Sequence, residues 1–262
     1  MTLEADRVDV ERGGLTLVRA ASLAVEPGEC VAMIGPNGAG KSTLLHALSG
    51  AQTPARGVCR LDGRPLAEYA PAELARRRAV LPQAPALGFP LNVADVVALG
   101  RSPHAGFSDR GEDRRVIQAV LAEADIAHLS ERTYPSLSGG ERQRVHLARV
   151  LAQVWTARCG DSSARYLMLD EPTNNLDIAH QQRMIATAAS FAQYGNGVLA
   201  VLHDPNLAAQ YADRLVVLAD GTVRANGPPD EVLTSSLMAD IFGVTALCRT
   251  HPRTGRPFVL PA

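Results

Sequence analysis

The residues with the clearest chemistry form a glycine-rich loop early in the chain. Residues 35–42 read G-x-x-x-x-G-K-S. They lie between an apolar run, 30–34, typical of a buried strand, and an apolar-periodic stretch typical of a helix. In such a loop the backbone N–H groups turn towards phosphate oxygens at the start of the helix. The flanking strand and helix favour phosphate binding over a glycine-rich turn without a ligand.

The side chains of this loop are suited to a nucleoside triphosphate. Lys41 is placed to reach the β- and γ-phosphates, Ser42 to ligate Mg²⁺, and Thr43 to donate to an α-phosphate oxygen. Of the 26 Lys and Arg residues, only Lys41 is a lysine, which favours a functional reason for keeping it. The predicted nucleotide-binding residues of the loop are Gly35, Pro36, Asn37, Gly38, Ala39, Gly40, Lys41, Ser42 and Thr43.

Two consecutive acids end a second apolar run, and a histidine ends a third. Residues 166–169 lead into Asp170 and Glu171, and a later run leads into His203. Because parallel strands bring their C-terminal ends to one edge of a sheet, these side chains should lie near the loop. Asp170 can hold Mg²⁺ through water, and Glu171 can accept a proton from an attacking water. Alone, the two acids would fit an ordinary solvated strand end.

The segment PSLSGGERQRVHLARVLA carries the most specific pattern. Ser138 followed by Glu141 predicts a helix N-cap with a capping box. Capping is compatible with anion binding, because the same helix start, with Gly139 and Gly140, presents N–H groups that lack intrahelical acceptors.

Taken together, these motifs resemble those of the ATP-binding-cassette ATPases. LSGGE at 137–141, the loop at 35–42 and LMLDEP at 167–172 occur in the family's order, and the resemblance covers nearly the whole chain. It implies ATP and Mg²⁺ as cofactors and ATP hydrolysis as the activity. The expected fold is an α/β P-loop NTPase with a mostly parallel core sheet, an N-terminal antiparallel β-hairpin and an inserted helical subdomain.

The resemblance also implies roles for individual residues. Gln83 matches the family's glutamine loop and joins the Mg²⁺ ligands, and His203 matches the histidine that contacts the γ-phosphate. Asp177 ends the loop after the second acid motif, N-N-L-D at 174–177, and is expected among the nucleotide-binding residues. Two copies should enclose two ATP molecules, with Ser138, Gly139 and Gly140 of one copy closing on the nucleotide held by the other. The protein is therefore expected to work as a homodimer.

One position departs from the family pattern. The early hairpin often carries an aromatic residue that stacks on adenine, and VDVERGG offers Arg12 instead. A guanidinium can lie flat on a base. We therefore expect Arg12 to contact the base and to discriminate weakly between ATP and GTP.

Composition narrows the class of protein. A net charge of −1 argues against a polycationic nucleic-acid binder, and no apolar run reaches the roughly 20 residues of a membrane helix. The start has no apolar stretch of a secretory signal, so a cytosolic location is expected. The cysteines form no C-x-x-C pair, which indicates neither a zinc site nor a disulfide framework. They are Cys30, Cys59, Cys159 and Cys248.

The organisation expected is one ATP-binding domain over residues 1–262. Its α/β core comprises 1–89 and 156–262, and the helical subdomain comprises 90–155. An antiparallel hairpin over 3–25 should be added to the core sheet. Helices are predicted at 92–99, 109–124 and 138–153, and further hairpins at Asp220-Gly221 and within RTHPRTGRPFVL.

The stretch after Gln83 and the spacer before LMLDEP resemble the ATPases of haemin importers. This resemblance implies a transmembrane permease, a periplasmic or surface haem-binding protein, and a peripheral position on the cytoplasmic side of the inner membrane. Iron-siderophore and cobalamin importers are near alternatives. A non-transport cassette ATPase would share the same motifs, and a small-molecule phosphotransferase would share the loop but not LSGGE.

Other charged residues carry no supporting pattern. The run of arginines at 76–78 predicts a solvated helix face, with contact to a partner or to lipid head groups as the alternative. Five histidines are expected in surface or packing roles. They are His104, His128, His146, His180 and His251.

Overall fold

The computed structural model describes residues 2–83, 87, 89–155, 163–174 and 176–262. Three predicted features fall wholly or partly outside these residues. They are Asn175 of the N-N-L-D loop, Cys159 with the spacer at 156–162, and part of the stretch after Gln83.

Strands and helices alternate along the described chain. The strands are β1 (Leu3–Arg12), β2 (Leu15–Val25), β3 (Cys30–Ile34), β4 (Arg56–Leu61), β5 (Arg64–Pro65), β6 (Arg78–Leu81), β7 (Tyr166–Asp170), β8 (Gly197–Val201), β9 (Arg214–Ala219), β10 (Thr222–Gly227), β11 (Ala246–Thr250) and β12 (Pro257–Pro261). The helices are α1 (Lys41–Leu48), α2 (Pro71–Arg77), α3 (Val93–Ala98), α4 (Arg110–Glu123), α5 (Gly139–Val154), α6 (Ile178–Gln193), α7 (Pro205–Tyr211), α8 (Pro229–Val232) and α9 (Ser235–Phe242).

A six-stranded sheet forms the centre, in the order β10-β9-β3-β8-β7-β6. Its strands run parallel except β10, which pairs antiparallel with β9 across the predicted turn at Asp220-Gly221. Every residue of β3, β7 and β8 is buried. Burial on both faces explains why these strands read as continuous apolar runs instead of alternating ones.

The N-terminal hairpin is not part of this central sheet, which corrects one prediction. β1 and β2 pair antiparallel on either side of Gly13-Gly14, as expected, but β1 pairs on its other edge with β4. The result is a second sheet with the order β2-β1-β4-β5. Its buried side chains pack with Val31, Met33 and the apolar face of α1. The hairpin therefore covers the central sheet as a separate layer, a relation that strand pattern alone does not distinguish from pairing.

Three helices lie in the stretch predicted to be helical, close to their predicted bounds. Asn92 caps α3, Asp109 caps α4 and Ser138 caps α5, each by accepting a backbone N–H with its side chain. These caps are the sequence signals that made the helix starts predictable. The long helix α5 contacts α3, α4 and β6, so it joins the helical stretch to the central sheet.

The arginine run at 76–78 does not form a solvated face. The Arg76 guanidinium lies 3.9 Å from the ring centroid of Phe107, and Arg77 pairs with Asp62 at 2.5 Å. Burial lowers the pKa of Arg78. Arg76 and Arg77 therefore join α2 to its neighbours, because the head of each finds a local partner in the protein.

The chain ends in a hairpin of β11 and β12, as RTHPRTGRPFVL predicts. We call residues 246–261 the C-terminal hairpin. It packs on α7 and α9, and Ala246 and Val259 are buried in the same core as the helices. Within the described part of the chain, the helices all fall short of the length and apolarity that a bilayer span requires.

Candidate functional site

The site is built at the C-terminal ends of three neighbouring parallel strands. β8 pairs with β3 on one side and with β7 on the other. Gly35 follows β3, Asp170 ends β7, and His203 follows β8 by two residues. The predicted convergence of these residues at one sheet edge is therefore confirmed.

Two glycines of the loop are required by close backbone contacts. A Cβ on Gly35, at φ 152°, would lie 2.0 Å from the carbonyl oxygen of Leu218. A Cβ on Gly40, at φ 97°, would lie 2.7 Å from the carbonyl oxygen of Leu17. Because neither backbone oxygen can move cheaply, only glycine lets the loop pass between β9 and β2.

The start of α1 has no side-chain cap. Its N-cap residue is Gly40, which offers no acceptor, and the first turn contains no acidic residue. The N–H groups of a first turn have no intrahelical acceptors, and the helix dipole adds positive potential there. This helix start is therefore suited to an anionic ligand.

Lys41 is buried and its ammonium is held by the loop. Nζ donates to the carbonyl oxygens of Gly35 at 2.8 Å and Pro36 at 2.9 Å. Burial lowers the pKa of Lys41, whereas the nearby Glu171 and Asp170 carboxylates act in the opposite direction. The ammonium is thus fixed inside the loop, where the sequence placed it.

Ser42 and Asp170 are in direct contact. The hydroxyl of Ser42 donates to Oδ1 of Asp170 at 2.7 Å, and Nε2 of His46 lies 3.7 Å from Oδ2. Burial raises the pKa of Asp170, and the hydrogen bond from Ser42 opposes that rise. A hydroxyl beside a carboxylate provides the oxygen ligands that Mg²⁺ prefers, so these two residues fit the predicted ion.

Three donors surround the carboxylate of Glu171. Oε2 accepts from Nε2 of Gln83 at 2.7 Å and from Nδ2 of Asn174 at 2.8 Å, and Oε1 lies 2.9 Å from Nε2 of His203. Burial raises the pKa of Glu171, but the hydrogen bonds from His203 and Asn174 outweigh it, and the net pKa is lowered. The carboxylate is therefore kept ionised, and its oxygens can accept hydrogen bonds or a proton.

Glu171 also has an unusual backbone conformation. Its φ is +49°, in the left-handed region that residues with a Cβ seldom adopt. Its N–H donates to the carbonyl oxygen of Val201 at 3.2 Å, which holds the chain at the end of β8. This turn directs the side chain towards Gln83 and His203.

Asn174 is the functional candidate that the sequence did not single out. The motif N-N-L-D drew attention to Asp177, but no spacing rule links Asn174 to Glu171. The left-handed turn at Glu171 places the Asn174 amide within 2.8 Å of the carboxylate. An i, i+3 amide beside a catalytic acid could have served as a weak signal.

The predicted residues of the LSGGE segment form a second group. Ser138 accepts the N–H of Glu141 at 3.3 Å, and Glu141 Oε2 accepts the N–H of Ser138 at 2.7 Å, so the predicted capping box is present. Ser138 and Gly139 are exposed. A Cβ on Gly140 would lie 3.7 Å from the side chains of Leu176 and His180. This helix start thus borders the loop that follows Glu171.

Asp177 lies at that border as the N-cap of α6. Its Oδ1 accepts the N–H of His180 at 2.9 Å and lies 2.7 Å from Nδ1 of the same residue. The hydrogen bond from the His180 backbone, with the imidazole contact, lowers the pKa of Asp177. The carboxylate is exposed, so it remains accessible to a second molecule.

Arg12 ends β1, where it pairs with Leu15 across the hairpin turn. It is exposed, and the carbonyl oxygen of Leu17 farther along β2 is the atom that approaches Gly40. The hairpin therefore reaches the phosphate loop through β2.

Comparison with known proteins identifies the family. A family model described as ABC transporter matches residues 18–174, which is more than half of the chain. This chain belongs to the ABC transporter family. As a member it binds and hydrolyses ATP, which agrees with the loop and the acids at the sheet edge.

Two relatives that match this ABC ATPase over nearly its full length carry the same description. The Hemin import ATP-binding protein HmuV of Gloeobacter violaceus is 49% identical over 259 residues, covering 99% of this chain and 94% of the relative. The protein of the same name from Myxococcus xanthus is 48% identical, covering 100% and 97%.

Solved structures agree with the fold of this ABC ATPase. An inward-facing ABC transporter assigned to the metal-chelate type superimposes with a TM-score of 0.80 at 26% identity, covering 100% of this chain and 97% of that one. An ATP-binding subunit of an ABC transporter gives a TM-score of 0.77 at 25% identity, with 93% and 97% covered.

Two histidines outside the site of this ABC ATPase are buried. His146 lies in α5 with Nε2 2.7 Å from the hydroxyl of Tyr134, and burial lowers its pKa to about 4. His104 contacts the carbonyl oxygen of Gln153 at 2.8 Å. Both have the packing role expected from the sequence.

Among the described residues, no group of three or more His, Cys, Asp and Glu side chains is arranged to hold a metal.

Proposed function

We propose that this chain is the ATP-hydrolysing subunit of a haem importer. The observation that carries the catalytic part is the cluster at the sheet edge, where Lys41, Ser42, Asp170 and Glu171 converge with their partners. The transport part is supported by similarity, over nearly the full length, to proteins named for hemin import.

The phosphate loop would hold the nucleotide. Backbone N–H groups of residues 35–43 and the first turn of α1 supply donors, and Lys41 supplies a positive charge. The Nζ contacts with two loop carbonyls are the kind that an ammonium exchanges for stronger, charge-assisted bonds to phosphate. Arg12 would contact the base from the hairpin.

Ser42, Asp170 and Gln83 would hold Mg²⁺. When bound, the ion neutralises charge that develops on the phosphate oxygens. Asp170 is buried and already oriented by Ser42, so little rearrangement is needed to present its oxygens. Gln83 would leave its contact with Glu171 to reach this position.

Glu171 would act as the general base. Its lowered pKa keeps the carboxylate ionised at neutral pH, and an ionised Oε atom can accept a proton from the attacking water. His203 and Gln83 would sense the γ-phosphate. Both side chains already contact the Glu171 carboxylate. Asn174 would remain as the donor that keeps Glu171 in place.

Two copies of the chain would complete each site. Ser138, Gly139 and Gly140 lie exposed or half-buried at the start of α5, and Asp177 lies exposed nearby. A two-fold homodimer would bring this second group onto the partner's nucleotide, because such an interface pairs the same surface with itself. ATP binding would close the pair and hydrolysis would open it.

A membrane permease would transmit these movements. The chain would sit peripherally on the cytoplasmic side of the inner membrane, bound to the permease, and the permease would receive haem from a periplasmic or surface haem-binding protein. Since the ATPase does not need to touch the cargo, the cargo assignment depends on the relatives alone.

The base assignment is tested with Glu171→Gln. The amide cannot accept the proton, so we expect ATP-dependent dimers that persist in size-exclusion chromatography and turnover reduced by at least about a hundredfold. Glu123→Gln, which makes the same change at an exposed residue of α4 outside the cluster, is the matched control. Wild-type turnover in Glu171→Gln would overturn the assignment.

The cargo is tested by growth. A strain lacking this subunit should fail to grow on haem as the limiting iron source, and the wild-type gene but not Lys41→Ala should restore growth. Failure on a ferric siderophore or on cobalamin instead would keep the ATPase role and replace the cargo. Normal growth on all three would point to a redundant importer or to a non-transport role.

A further inference from the structure

The C-terminal hairpin is the element that the proposed function leaves unexplained. It lies beyond residues 18–174, the part of the chain that matches the family model. Its contacts are concentrated on α7, which begins two residues after His203. We propose that this hairpin positions His203 for ATP hydrolysis through Asn206, an inference that depends on the γ-phosphate role proposed above for His203.

The contact at the start of α7 is a pair of hydrogen bonds. Oδ1 of Asn206 accepts the N–H of Val259 at 2.6 Å, and Nδ2 donates to the carbonyl oxygen of the same residue at 3.1 Å. The side-chain amide thus pairs with β12 as a neighbouring strand would. Two bonds from one planar group fix its orientation as well as its distance.

Val259 is a firm anchor for this pair. The residue is 4% exposed and belongs to the main core, and β12 is paired along its length with β11. A bond from a surface asparagine to a mobile strand would hold nothing in place. Here the anchored partner is the hairpin, and the element to be held is the segment that leads to His203.

That segment is short and is itself constrained at Asn206. Oδ1 of Asp204 accepts the N–H of Asn206 at 2.8 Å, and Pro205 occupies the first position of α7. The capping bond and the fixed φ of proline leave little freedom between residues 203 and 206. Movement of Asn206 is therefore transmitted to His203.

The hairpin holds the far end of α7 as well. Nη1 of Arg256 donates to the carbonyl oxygen of Ala212 at 2.8 Å, where Ala212 follows the last residue of the helix. With both ends held, α7 cannot shift along its axis independently of the hairpin. The bond at Ala212 lies farther from His203, so its loss should affect His203 less.

The experiment compares steady-state ATP hydrolysis by the full-length protein in four variants. Asn206→Ala should lower kcat about tenfold, as expected for the loss of two hydrogen bonds, while KM for ATP stays within about twofold. Arg256→Ala should lower kcat by less than about threefold. Arg249→Ala, an exposed residue of β11, is the matched control and should match wild type. His203→Ala should abolish turnover.

A fall in kcat with an unchanged KM distinguishes mispositioning of His203 from a general loss of stability. We expect Asn206→Ala to unfold within about 4 °C of wild type. If it folds poorly, Asn206→Asp keeps the acceptor for the Val259 N–H, and its kcat should lie between alanine and wild type. Wild-type kcat in Asn206→Ala with an inactive His203→Ala would overturn the proposal, and so would an equal loss of kcat in Arg249→Ala. Wild-type turnover in His203→Ala would instead overturn the proposed role of His203.

Discussion

Helices α1 and α5 begin at the two halves of the proposed nucleotide site, and they begin differently. The N-cap of α1 is Gly40, which supplies no side-chain acceptor. The N-cap of α5 is Ser138, whose hydroxyl and backbone N–H are both engaged with Glu141. The start of α1 therefore lacks a side-chain cap, whereas the start of α5 has its capping hydrogen bonds within the protein.

This difference indicates how the two halves are expected to bind. An uncapped start costs about 1 kcal/mol, which a phosphate can return with several N–H contacts. The capped start of α5 is stable without a ligand and keeps the glycine N–H groups and the Ser138 hydroxyl hydrogen for an anion. We infer that the Lys41 half binds ATP first and that the Ser138 half adds to a nucleotide already held.

Lys41→Ala should break the first half with the largest effect. Loss of the buried ammonium should reduce ATP hydrolysis by more than about a hundredfold and weaken ATP binding, since one donor to a developing charge contributes this much. Phosphate release and ATP titration measure the two effects. Arg224→Ala, an exposed cation of β10, is the control, and turnover above about a tenth of wild type in Lys41→Ala would contradict the comparison.

Ser138→Arg should break the second half and leave the first intact. We expect hydrolysis to fall by about a hundredfold, because a long cation replaces the hydroxyl at the dimer contact, while the ATP affinity of one chain stays within about threefold. Ser236→Arg changes a serine in the first turn of α9 and should be neutral. Unaffected hydrolysis in Ser138→Arg would remove the second half from the mechanism.

Arg12 extends the comparison to the nucleotide base, where we expect weak discrimination between ATP and GTP. With a guanidinium in place of an aromatic ring, the ratio of kcat/KM for ATP and GTP should stay below about a hundredfold, or roughly 2.7 kcal/mol. Competition between the two nucleotides in one hydrolysis assay measures this ratio. A larger preference would show that another residue selects adenine.

Glu141→Ala should have the smallest effect and tests the capping box. Its hydrogen bond from the Ser138 N–H lowers the pKa of Glu141. The carboxylate therefore adds stability above the ordinary glutamate range, and that stability is lost as the pH falls through the lowered pKa. Urea unfolding should show a cost of about 1 kcal/mol at pH 7 that shrinks in acid. A cost independent of pH would contradict a role for the charge.

From the sequence, the position of the site residues was easier to predict than the contacts that surround them. Local signals, such as an apolar run ending in a polar residue, were enough to place Gly35, Asp170 and His203 on one sheet edge. The separate layer of the hairpin over 3–25 depends on the pairing of β1 with β4, which is distant in the chain and has no local signal. Asn174 depends on a left-handed turn at a glutamate, which no propensity predicts.

The single lysine makes this protein an unusually simple target for amine chemistry. Apart from an α-amine, the chain has one primary amine, and it lies 5% exposed inside the phosphate loop. Once acylation of an α-amine is subtracted, an acylating reagent therefore reports on Lys41, with no background from surface lysines. The rate at which Lys41 is acylated measures how often its amine becomes accessible. The decrease in that rate on adding a nucleotide measures the fraction of phosphate loops with nucleotide bound.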